Sequence, residues 1–209
     1  MKAFVKIFLF TPIFFGIGMS VVNGEARISV VASIGPIHSL ASSVMKGVGT
    51  PYLLVKGGAS PHTYTLRPSD SMALQRADLV LWVSETLEMF LVKPLASLSL
   101  KVKKVELSTI PGLTLLPAGR IGVRKKEARM SHSHALHEKE KIFSDMHIWL
   151  DSQNAEKMIW AMAKALGTVD PNQASVYLSN AREVQRRIQL LDIDLRTRLR
   201  TVRDVPYVV

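Results

Sequence analysis

The chain has 209 residues, with 27 lysines and arginines against 17 aspartates and glutamates, a net charge of +10 and no cysteine. Without cysteine there is neither a disulfide nor a cysteine-linked lipid. A basic balance suits nucleic acid or an anionic membrane surface, but no aromatic-basic recognition pattern accompanies it. The excess sits mainly at 120–141 and 182–203, and it reads as a solvated surface rather than a polyanion site.

The first 26 residues, "MKAFVKIFLFTPIFFGIGMSVVNGEA", read as a cleaved secretory signal. Lys2 and Lys6 precede an apolar run from Ile7 to Val22, and small or polar residues follow at Asn23, Gly24 and Ala26. Pro12, Gly16 and Gly18 interrupt a run that is marginal for a membrane span. The product is therefore expected to be exported and soluble. The remaining roughly 185 residues suffice for one good core or slightly more.

From Ile28 the pattern alternates strand and helix. "ISVVASI" at 28–34 is a continuous apolar, β-branched run, as in a strand buried on both faces of a parallel sheet. Gly35 and Pro36 end it, and "IHSLASSVMKGV" predicts a helix stopping near Gly47 or Gly49. "PYLLV" at 51–55 predicts a second strand. The loop "GGASPHTYTLRPSD" at 57–70 follows, and Pro68 suits the first position of a short helix, "PSDSMALQRA". "DLVLWVS" at 78–84 predicts the third strand, "ETLEMFLVKPLASL" a helix, and "KKVELS" at 103–108 a shorter fourth strand. This order implies an α/β lobe, its parallel sheet of about four strands flanked by helices.

Residues 109–141 lose all periodicity and predict a long loop, which at such length is functional or mobile. Order returns at "FSDMHIWLDSQNAEKMIWAMAKALG", where Asp151 or Ser152 can cap a helix to about Leu166. The lobe is thus expected over 27–168. A long helix follows, within 169–204 and running from about Asn172 to Arg203. Tyr177, Ala181, Val184, Ile188, Leu191, Leu195, Leu199 and Val202 form one apolar stripe along it. Pro206 ends that helix, and "YVV" at 207–209 has the composition of a new strand's first half.

Of six histidines, His62 lies on the loop after the second strand and His147 between the long loop and a helix start. Ligand sites of α/β sheets form outside the carboxyl ends of the strands, so both residues can face one crevice, with Met146 and Trp149 walling it from water. Two converging imidazoles are the beginning of a zinc site. Taken singly, His62 also reads as a turn residue satisfied by backbone, and His147 as a helix-start residue bonded to a nearby carboxylate. His132, His134 and His137 in "SHSHALH" make a weak accessory metal site or a merely polar loop. His38 reads as a cap or packing residue. No carboxylate is obviously posed beside His62 or His147 as a general base, and no His-Glu-x-x-His helix, nucleophile elbow or phosphate-binding glycine loop occurs. A metal here would be held, not used, so no enzyme is expected.

At "ASIGPIHSLASSVMKGVGTPYLLVKGGASPHTYTLRPSD", "QRADLVLWVSETLEMFLVKPL" and "MHIWLD" the sequence resembles the periplasmic zinc-binding proteins of bacterial zinc-uptake ABC transporters. The resemblance runs from about Ile28 to Val209. It implies two α/β lobes joined by one long helix, with Zn²⁺ carried between them as cargo to an inner-membrane ABC permease. The family's first two histidine ligands match His62 and His147. Where some members have a glutamate beside the first ligand, this chain has Pro61. The third histidine would follow the strand begun by "YVV", so residues 205–209 are expected to open a second lobe that this chain lacks. The alternative expectation is a truncated fragment, nonfunctional or weakly metal-binding.

Overall fold

A computed structural model describes residues 28–118 and 144–205. The expected signal, most of the 109–141 loop with its three histidines, and residues 206–209 lie outside the described residues.

Four strands, β1 (Val30–Ala32), β2 (Tyr52–Leu53), β3 (Leu79–Trp82) and β4 (Lys103–Glu106), form one sheet in the order β2-β1-β3-β4. Every pairing is parallel, and Val31 sits opposite Tyr52 on one side and Val80 on the other. The two central strands are buried throughout, which is why they read as unbroken apolar runs. Strand β2 is shorter than "PYLLV" predicts, yet the ladder carries on past it: Leu54 N donates to Ala32 O (3.0 Å) and Val55 N to Ser33 O (2.9 Å).

The helices are α1 (Gly35–Val44), α2 (Pro68–Gln75), α3 (Met89–Ser97), α4 (Ser152–Val169) and α5 (Ala174–Arg198). Helix α1 buries Ile37, Ala41 and Val44 against the sheet. Asp151 caps α4 as expected, accepting from Gln153 N (2.8 Å) and Asn154 N (3.0 Å). Buried Asn154 then exchanges two hydrogen bonds with the Thr114 backbone and pins the segment after β4.

The long helix differs from its expectation. Residues 171–173 and 199–201 are 3₁₀ turns, and the α-helix between them spans about 37 Å at 1.5 Å per residue. It lies antiparallel to α4, joined by Trp160 to Gln185, Gln185 and Gln189 to Glu156, and Ser152 to Asp192. Tyr177, Ala181 and Val184 are buried, and Asn180 donates to Val44 O and Lys46 O at the end of α1. Ser152 is the first residue of α4, so α5 past Asp192 runs beyond the end of that helix. From Leu191 onward the stripe is exposed: Leu191 is 55% and Leu195 43% accessible.

Candidate metal centre

His62 follows β2 and His147 precedes α4, far apart in sequence. The fold brings their ring centroids to 6.4 Å. The approach of His62 is built by a tight loop. Gly57 and Gly58 take φ values of +65° and +76°, which a glycine adopts freely. The Ser60 hydroxyl then accepts His62 N (3.3 Å). A polar knot holds the far side of the loop: the buried Asp70 carboxylate accepts from the Tyr64 hydroxyl (2.7 Å), the Tyr52 hydroxyl (2.9 Å) and Arg67 N (2.9 Å). Burial raises the Tyr64 hydroxyl above its usual range, and its bond to the Asp70 carboxylate adds to that.

His147 is fixed from behind. Its Nδ1 lies 2.6 Å from Asp145 Oδ1, and the same oxygen accepts the His147 amide (2.9 Å). The amide first, and then the ring, hold the Asp145 carboxyl below the usual carboxylate range. With Nδ1 engaged by a carboxylate, Nε2 is left with the lone pair, the arrangement that orients metal-binding histidines. The alternative reading of His147, a residue bonded to a nearby carboxylate, thus describes its contact with Asp145. The two-residue step from Asp145 to His147 was the signal to find it, because a carboxylate at that step can close on both amide and ring.

Two imidazoles sharing a tetrahedral zinc, each nitrogen at about 2.0–2.1 Å, hold their centroids roughly 5 Å apart. The separation here exceeds that by little more than 1 Å, and both side chains are exposed. Trp149 stands edge-on to His147 at 5.2 Å, but the His147 side chain is 49% exposed and the site is not walled from water. A recess of about 290 Å³ opens beside His147 among Thr114, Leu116, Asp145 and Asn154, and His62 takes no part in it. Among the described residues no group of three or more His, Cys, Asp or Glu converges to hold a metal. His38 lies elsewhere: its Nε2 meets Pro51 O at 3.0 Å, at the amino end of β2, which fits its packing role.

The model of the family described as periplasmic zinc-uptake complex component A matches residues 30–209. The high-affinity zinc uptake system protein ZnuA of Brucella abortus is 34% identical over the whole of this chain, which spans 69% of that protein. A Mn-bound periplasmic metal-binding protein from Candidatus Liberibacter asiaticus superposes with a TM-score of 0.65 at 26% identity, covering 83% of this chain and 57% of that one. The Zn(II)-bound ZnuA-like domain of AdcA from Streptococcus pneumoniae shares the fold, with a TM-score of 0.62 at 22% identity.

Proposed function

The chain belongs to the family of periplasmic zinc-uptake complex component A, and from that premise we propose that it captures Zn²⁺ in the periplasm and hands it to the permease of an ABC importer. His62 and His147 are the ligands of this lobe. The approach of their rings to 6.4 Å from opposite ends of the lobe's sequence is the observation that carries the reading. No bond is made or broken in the cargo: the lobe binds, orients and releases. Asp145 selects the nitrogen that His147 presents. An all-nitrogen donor pair favours zinc over manganese, which prefers carboxylates.

Zinc titration by calorimetry tests this directly. His62→Ala and His147→Ala are each expected to lower affinity at least tenfold, and wild-type affinity is expected to fall as the solution turns acidic, since protons compete for the imidazole nitrogens. Unchanged affinity in both variants overturns the assignment.

A further inference from the structure

Glu88 stands immediately before α3, where a carboxylate ordinarily accepts the first free amides of its own helix, yet it makes no such bond. It is fully buried and turns back toward β3, its Oε2 accepting Val83 N (2.9 Å) and Ser84 N (2.8 Å). The turn is closed from both ends, Glu88 N donating to Ser84 O (3.0 Å) and Leu87 N to Ser84 Oγ (3.2 Å). The exit of β3 and the entry of α3 are thereby locked together at the carboxyl edge of the sheet. Ser33 Oγ, at the end of β1, is buried near this carboxylate without meeting hydrogen-bond geometry.

The clamp fixes where α3 starts, and so where Phe90 lies. The Phe90 ring meets Tyr64 edge-on, centroids 5.1 Å apart, a geometry that aromatic pairs favour. Tyr64 is two residues from His62, and its hydroxyl is tied both to Asp70 and to Leu54 O (3.1 Å) at the end of β2. A continuous line of contacts therefore runs from the buried Glu88 carboxylate to the loop that presents one of the two imidazoles.

Resting on the reading of His62 and His147 as zinc ligands, we propose that Glu88 is a positioning residue for His62: its carboxylate clamps the 83–88 turn, the turn seats Phe90 against Tyr64, and Tyr64 holds the loop. Were Glu88 only a support for the lobe, its loss would loosen β1 and β3 as much as the loop. As a positioning residue it loosens the loop first.

The test is amide hydrogen exchange by NMR on the metal-free protein, with a zinc titration beside it. Glu88→Ala is expected to speed exchange at His62, Thr63 and Arg67 at least fivefold while the β1 and β3 amides keep their protection. Glu88→Gln retains an acceptor oxygen and should restore wild-type rates. Phe90→Leu leaves the clamp intact, so it keeps the test decisive if Glu88→Ala does not fold. It should speed exchange in the loop and leave Val83 and Ser84 unchanged, and Phe90→Tyr should restore the loop. Zinc affinity is expected to fall about tenfold in Glu88→Ala and Phe90→Leu. Unchanged loop exchange in both variants overturns the relay even if zinc binds normally. A wild-type protein that binds no zinc overturns the functional reading and leaves the exchange result standing.

Discussion

At the scale of single residues, two carboxylates show how position decides chemistry. Asp145 is half exposed and bonded to His147, and its pKa is held down. Glu88 is buried, and desolvation pushes it up to about 7, with Glu106 adding to the rise while the Ser33 hydroxyl and the Ser84 and Val83 amides oppose it. A carboxyl whose folded pKa lies above its ordinary 4.5 binds more protons folded than unfolded between those values. Glu88 therefore contributes most to stability below about 4.5, and that contribution is lost as pH rises through about 7. Glu88→Gln removes that dependence. Its stability relative to wild type should rise by roughly 3 kcal/mol between pH 4.5 and pH 8. Thermal unfolding at both pH values checks this, and an equal difference at each would mean that the carboxyl is not desolvated.

At the scale of elements, strands β1 and β3 were legible because both of their faces are covered, so no polar residue interrupts them. The start of α3 was not. "ETLE" has good helical composition, but the Glu88 carboxylate spends itself on Val83 and Ser84, and the helix begins only at Met89. The approach of His62 to His147 was legible from the rule that loops after parallel strands converge. Asp145 was missed because it lies in a loop, where periodicity carries no signal. In α5 the stripe correctly marked an apolar side, but periodicity cannot say what covers it. The inner half meets α1 and α4, whereas Leu191, Leu195 and Leu199 meet water. This face should bind a hydrophobic dye. Leu191→Gln with Leu195→Gln should lower dye fluorescence at least twofold and shift the melting temperature little, because neither leucine is packed. A large loss of stability in that double variant would show that the face is covered in solution.

At the scale of the molecule, one hydrophobic cluster joins the sheet to α1, α4 and the inner part of α5, and the two histidines sit at its edge rather than within it. On the proposed function, metal binding is separated from the core, and the lobe is expected to gain stability when zinc binds. On the two-imidazole reading, zinc at about a hundred times its dissociation constant should add about 2.7 kcal/mol. The resulting rise in melting temperature should vanish with chelator and in the His62→Ala, His147→Ala double variant. A rise that persists in the double variant would place the metal elsewhere. The last mutual bond of α4 and α5, Ser152 to Asp192, also has a mechanical meaning. Beyond it the helix projects about 14 Å to Thr201 as a stiff cantilever, stitched by the pairs Asp192–Arg196 and Asp194–Arg198. A tilt of about 10° at that root swings the tip by roughly 2 Å over this length, so small angular changes beside the His147 turn are magnified at the far end of the arm.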